Sequence, residues 1–476
     1  VRRGFAKKVT WSTNAKPNVA ISKRAFVAAA IALTLPSLGC GDSLPKAKPA
    51  ADADGPNGSV PANRDAVASV PAEIVSRTHA GVVGALERPA ALRRFFESLG
   101  RLESEQAQDD VRIVQFGDSH TAADIETGSA RHALQTRFGD GGRGFVAIGK
   151  PWKQYLQEGV RCGMSSDWSG ERGKLERGKF VGDGMYGLAG IGLGSSQRGA
   201  RAWTDITART SRAEINYLEQ PNGGSFDVFV DGVRVVRVST RADRAASAFR
   251  TFDITPSTAH QVEVRGVGDG DVRVFGLSLD RAEHGIVFDA LGINGARVTT
   301  CLQWNEQHWA EQLKHRAPAL VILAYGTNES TDEGMSPETY ERQLVDTLGR
   351  IARAVPSASC LLLGPPDRAI SEGKDKEWVT APKLLEIIAS QKRVAAAAGC
   401  AFYDQLTAMG GSGTIAGWAS EDPPRAQKDR VHLTREGYAQ LGSSFAADLM
   451  RAYVGWRKEL GLPSTSAPAP ALEASQ

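Results

Sequence analysis

Two stretches carry residue types that can act together in acyl transfer. In VRIVQFGDSHTAAD (residues 111–124), β-forming residues run into Gly117, and Asp118, Ser119 and His120 follow. In KDRVHLTREGY (428–438), Asp429 precedes His432 by three positions. A serine hydroxyl is a poor nucleophile until a histidine takes its proton and a carboxylate orients that histidine. The D-x-x-H spacing lets Asp429 meet the imidazole Nδ1–H on a single turn, leaving Nε2 to face Ser119. Two further blocks offer donors for an oxyanion. LGINGARV (291–298) supplies a glycine N–H, from Gly292 or Gly295, with Gly295 preferred by its position in the block. YGTNES (325–330) supplies the Asn328 side-chain amide, which could instead cap a helix. The Ser119 N–H, at a helix start, is the third donor.

Asp118-x-His120 also has the form of a metal ligand pair, as used after a first strand by metallophosphoesterases. Such a centre also requires a later Gly-Asn-His, but the asparagine block here is GTNES with no histidine, and His132, His284, His308 and His315 lack ligand spacing. The reading is therefore metal-free and cofactor-free, with Asp118 bracing the turn and His120 lining the acyl pocket. A GDSL string at 41–44 repeats the Gly-Asp-Ser but has no strand before it, and the glycine cluster GLAGIGLGSS (187–196) lacks the dinucleotide-loop spacing. Trp304, Trp309 and Trp418 are candidate sugar platforms, although helix packing accounts for Trp309 equally well.

The elements that would position these residues alternate strand and helix. VRIVQF, GIVFDAL, ALVILAYG, CLLLG and CAFYD read as five buried strands separated by amphipathic helices. Loops after parallel strands gather at one sheet edge, which would bring all four blocks together. Between the first and second strands, AEINYLEQPNGGSFDVFVDGVRVVRVS and its successors show short strands with PNGG and DG turns. The expected architecture is a three-layer parallel α/β domain interrupted by an all-β jelly-roll or sandwich. Cys360 and Cys400 each open a strand. A bridge between them and two buried free thiols are equally open.

Gly-Asp-Ser, the block glycine, Gly-x-Asn and Asp-x-x-His, in this order, resemble the SGNH (GDSL-type) hydrolases. The resemblance implies a flavodoxin-like sheet and metal-free ester hydrolysis or acyl transfer, with Ser119, Gly295, Asn328 and His432 as the named members and Asp429 as triad acid. Glu329 stands where many members have aspartate. MGGSGTIAGW (409–418) and the strand pair FDVFVDGVRV are similar to bacterial peptidoglycan O-acetylesterases with an inserted carbohydrate-binding-like sandwich. An acetylated cell-envelope glycan is then the expected substrate. The alternatives are an O-acetyltransferase using the same triad and a non-catalytic glycan-binding lipoprotein.

The first 40 of the 476 residues hold seven basic residues and no acid, so the remainder carries 50 basic against 54 acidic groups. That balance does not point to nucleic acid. Lys23-Arg24, the apolar run after them and Cys40 resemble a bacterial lipoprotein export signal. The expectation is an exported protein, periplasmic or held at the outer membrane by lipid on Cys40. The expected organisation is a signal at 1–40, a linker at 41–80, hydrolase segments at 85–150 and 284–460, the sandwich at 151–283 and a tail at 461–476.

Overall fold

The parallel strands order as Ala401–Tyr403, Ser359–Leu363, Leu320–Ala324, Val111–Gly117 and Ile286–Gly292. These are the five strands read from the sequence. A computed structural model of the chain describes residues 82–462, apart from 177–178, 181, 256–259 and 374–376. The export segment, the linker, Cys40 and the tail from 463 lie outside the described residues. Two short strands, Val82–Val83 and Leu86–Glu87, extend the sheet antiparallel at its Ala401–Tyr403 edge, making seven strands.

Alternation along each strand feeds two cores. Val114, Phe116, Leu323, Leu362 and Phe402 point to the face covered by the helices Glu306–Arg316, Pro337–Ala354 and Pro382–Ala398. Ile113, Phe288, Ile322, Leu361 and Tyr403 point to the face covered by Arg93–Glu103, Glu126–Phe138 and Arg435–Glu459. Burying one such side chain contributes about 1.5–3 kcal/mol, so the paired cores rather than local propensity hold the layers. Cys360 and Cys400 lie level on parallel neighbours, with Leu361 opposite Ala401, and form a disulfide.

The segment TAADIETGSARHALQTRFG reads as one helix but forms two, Ser119–Ala122 and Glu126–Phe138. The break is at Asp124, held at φ +50°. Its buried carboxylate accepts from the Thr127 hydroxyl at 2.7 Å, the Glu158 N–H at 2.9 Å, and the Arg131 and Arg143 guanidiniums. Those bonds compensate for the helical hydrogen bonds given up at the break.

Two antiparallel sheets lie between the Ser119 strand and Ile286–Gly292. One orders Val233–Ser239, Ser225–Val230, His260–Gly266, Arg201–Ile206 and Val160–Met164. The other orders Ala246–Asp253, Arg212–Glu219, Val272–Asp280, Ile191–Ser195 and Ser169–Arg172. They share a core that includes Leu193, Ile215, Phe226, Val264 and Leu277. Asp231 and Gly232 take φ +49° and +81° in the expected DG turn. The glycine cluster supplies the strand Ile191–Ser195.

The sheets begin earlier than position 151. Gly142–Val146 already pairs with Val272–Asp280, while the buried carboxylate of Asp289, on the hydrolase strand Ile286–Gly292, takes the Phe145 N–H at 2.7 Å and ties the two together. Arg316 closes on the same carboxylate at 2.6 and 2.9 Å. The two sheets are not set apart as a separate body: contacts join them with the hydrolase in one compact unit.

Candidate active site

The strand Val111–Gly117 delivers Ser119 to the first position of a short helix, with Asp118 as its N-cap. Asp118 Oδ1 accepts the His120 N–H at 3.0 Å, which fixes the corner. Only glycine fits at 117, where a Cβ would stand 2.1 Å from Thr121 Oγ1.

The second half of the site is a tight loop ahead of the last helix. An antiparallel bridge between Ala426 and Leu433 closes it, and the His432 carbonyl accepts the Gln427 N–H at 2.8 Å. Beneath it, Met409, Ile415, Trp418 and Tyr438 form a small core, which gives MGGSGTIAGW its physical role as a support for this loop. Within the loop, Asp429 Oδ1 accepts the Val431 and His432 N–H groups, both at 3.0 Å. Its Oδ2 accepts His432 Nδ1–H at 2.7 Å, and His432 Nε2 lies 2.9 Å from Ser119 Oγ. Partial burial works against the Asp429 charge, but the bonds from His432 and Val431 prevail and hold its carboxyl below the usual range. An ionised Asp429 requires the proton on Nδ1, so Nε2 is the acceptor for the serine hydroxyl. The arrangement can therefore remove a proton from Ser119.

Asn328 stands at the N-cap of the 3₁₀ turn Glu329–Thr331, yet its side chain makes no cap bond. Its Nδ2 donates to the Ala296 carbonyl at 3.0 Å and lies 3.4 Å from Asp118 Oδ2, so it joins the glycine block to the serine corner. Gly295 occupies the third position of a turn closed by Ala296 N–H to Ile293 O, with φ +76°. Gly292 instead packs against the serine helix, where a Cβ would stand 2.1 Å from Ala122 N. Gly295 is thus on the open turn and Gly292 in the packing.

Several contributors were not singled out from the sequence. Glu329, buried, accepts the Val298 N–H at 2.6 Å and the Gly326 N–H at 3.1 Å, bracing the two donor loops against each other. Lys174 reaches in from the two-sheet region and donates to the Asn294 carbonyl at 2.6 Å. Tyr438 bonds His120 Nδ1 at 2.9 Å. His120 is buried behind His432, with ring centroids 5.5 Å apart, and burial lowers its pKa to about 3, so it is neutral. It lines an internal cavity with Asp118, Glu126 and Gln405. Burial raises Asp118 to about 7 and Glu126 to about 8.

The tryptophans do not offer open faces. Trp304, Trp309 and Trp418 are all buried, and Trp304 and Trp309 spend their indole N–H groups on Gly173 O and Leu188 O. Among the described residues, one group with ligand-like spacing is Asp109, Asp110 and His284, at the far end of the Ser119 strand. Arg112 already pairs with both of those carboxylates, at 2.7 and 3.3 Å.

Residues 257–440 match the GDSL-like lipase/acylhydrolase family. The match contains Gly295, Asn328, Asp429 and His432, whereas Ser119 lies ahead of the two-sheet region. No curated protein matches. Among solved structures, a peptidoglycan O-acetylesterase is 25% identical and covers 76% of this chain and 96% of its own, with a TM-score of 0.62. A salicylyl-acyltransferase from a tetracycline biosynthetic pathway is 13% identical, covering 62% and 98%, with a TM-score of 0.29. A family two carbohydrate esterase from Clostridium thermocellum is 11% identical, covering 57% and 95%, with a TM-score of 0.25. From its motif blocks, its five-stranded parallel core and the match over residues 257–440, this chain carries a GDSL-like lipase/acylhydrolase domain and is a carboxylic ester hydrolase.

Proposed function

We propose that the protein is a serine O-acetylesterase that removes acetyl groups from a cell-envelope glycan, peptidoglycan foremost. The observation that carries the mechanism is the continuous relay of 2.9 Å from Ser119 to His432 and 2.7 Å from His432 to Asp429. Ser119 Oγ attacks the ester carbonyl while His432 Nε2 takes its proton, and Asp429 stabilises the resulting imidazolium. The N–H groups of Ser119 and Gly295 and the Asn328 amide receive the oxyanion. His432 then protonates the departing sugar hydroxyl, and water repeats the sequence to free acetate.

The substrate class is supported by the likeness to a peptidoglycan O-acetylesterase over most of both chains. On this reading the two antiparallel sheets act as an inserted carbohydrate-binding-like sandwich, and the basic, apolar first 40 residues direct export, with lipid attached at Cys40. The test is acetate release from O-acetylated peptidoglycan. Serine-dependent release, lost in Ser119→Ala, is expected. Cleavage of an aryl acetate without release from the glycan would leave an esterase of another substrate.

A further inference from the structure

A hairpin of Ala369–Glu372 and Glu377–Thr380 lies against the rim of the site. Ala369 N–H donates to the carbonyl of Arg430, which directly follows Asp429, at 3.0 Å. Just before it, Arg368 sends Nη1 toward the carbonyl and hydroxyl of Ser330, at 3.4 and 3.5 Å, two residues after Asn328. The pair Arg368-Ala369 therefore bridges the loop carrying Asn328, through the Arg368 side chain, and the loop carrying Asp429 and His432, through the Ala369 N–H.

Neither arginine has a carboxylate within ion-pair distance among the described residues. Arg430 donates to the Lys428 carbonyl at 2.8 Å, and its Nε is buried without an acceptor. Glu333 is the acid that faces Arg368, from an exposed position. Arg297, on the glycine block, is by contrast paired with Asp332 at 3.6 Å. The Arg430 guanidinium lies over the Trp378 ring at 3.9 Å, and Trp378 is 41% exposed. It is the aromatic with an open surface that Trp304, Trp309 and Trp418 do not provide. A flat exposed indole takes the apolar face of a sugar ring. Two planar guanidiniums that no carboxylate bonds directly suit a carboxylate, which they can hold through paired N–H bonds.

We propose that Arg368 and Arg430 form a carboxylate-reading subsite beside the ester, with Trp378 as platform for an adjoining sugar, so that the substrate is an O-acetylated glycan carrying a carboxylate. This rests on the glycan reading above. The test compares 6-O-acetyl-N-acetylmuramic acid with 6-O-acetyl-N-acetylglucosamine, which differ only in the lactyl ether and its carboxylate. 4-Nitrophenyl acetate serves as the reference ester. The expected kcat/KM ratio favours the carboxylated sugar by about ten- to a hundredfold. The ratio should fall toward one in Arg368→Gln and in Arg430→Gln and stay intermediate in Arg368→Lys. A merely structural loss would lower both sugars together and leave the ratio intact. Trp378→Ala should weaken both sugars relative to the aryl acetate while keeping the ratio. A wild-type ratio near one, or a ratio that survives both glutamine variants, overturns the subsite and leaves the glycan reading standing. Cleavage of the aryl acetate and of neither sugar overturns the glycan reading and this subsite with it.

Discussion

Asp429→Asn should be more damaging than Asp429→Ala, and the reason lies in what surrounds the carboxylate. All three groups pointing at it are donors: the Val431 and His432 N–H groups at 3.0 Å and His432 Nδ1–H at 2.7 Å. Asparagine has one acceptor oxygen, so one side of its amide must face a donor. If the NH₂ faces the imidazole, the ring is driven to the tautomer with its proton on Nε2, which cannot accept from Ser119. If it faces the backbone, the loop loses two bonds, each contributing about 1 kcal/mol. The bond from imidazolium to carboxylate is charge-assisted and contributes roughly 1.5–3 kcal/mol, or about ten- to 150-fold in rate. Both variants lose that part. Asparagine adds the tautomer penalty, for a total of about 10²–10³ in kcat. With alanine the imidazole stays free to choose its tautomer, because water can reach the half-exposed position that Asp429 vacates. The assay is kcat on an aryl acetate across pH 6–9 for both variants, with folding checked by thermal denaturation. Asparagine within threefold of wild type, or consistently better than alanine, would refute this account of the relay.

Glu329→Gln turns one amide donor toward either the Val298 or the Gly326 N–H, and should cost about 1–3 kcal/mol in urea unfolding together with a lower kcat. Burial raises Glu126 from 4.5 to about 8 and Asp118 from 3.8 to about 7, so between those limits the folded chain binds more protons than the unfolded one. Stability from these groups is therefore complete below pH 4 and declines as pH rises toward 8. Glu126→Gln should flatten the difference between urea midpoints at pH 5 and pH 8. The Cys360–Cys400 disulfide closes a separation of 40 residues, and replacing both with alanine should cost roughly 2–4 kcal/mol.

The legible parts of this chain are those whose cause is local. The run VRIVQF into Gly117 announces a strand and a corner, and Asp429-x-x-His432 sets a carboxylate and an imidazole on one turn whatever surrounds them. The five parallel strands are continuous apolar runs because both of their faces are covered. What stayed hidden depends on partners distant in sequence. Asp124 breaks a helix only because Arg131, Arg143 and Glu158 converge on it. The edge strands Val82–Val83 and Leu86–Glu87 are too short to show a period. Glu329 is one acidic residue among many until its two N–H donors arrive from separate loops. Trp304 and Trp378 differ in burial for reasons that no spacing of tryptophans encodes.

The excursion into the two antiparallel sheets departs from and returns to one point of the hydrolase. Asp140 bridges Ile286, Gly141 N–H donates to the Ile286 carbonyl, and Arg281 N–H donates to Gly141 O. To the parallel sheet, the whole excursion is a single loop whose ends are already tied. The entropy of closing a loop grows only by about 0.6 kcal/mol per doubling of its length. Closing the loop is therefore cheap, but replacing it is not, because Tyr186, Leu188 and Ile191 pack into the core beneath Trp304 and Trp309 and the indole N–H groups of both end on excursion carbonyls. Any replacement must bring an N–H for Asp289 and a cation for Asp124, the duties that Phe145 and Arg143 now perform.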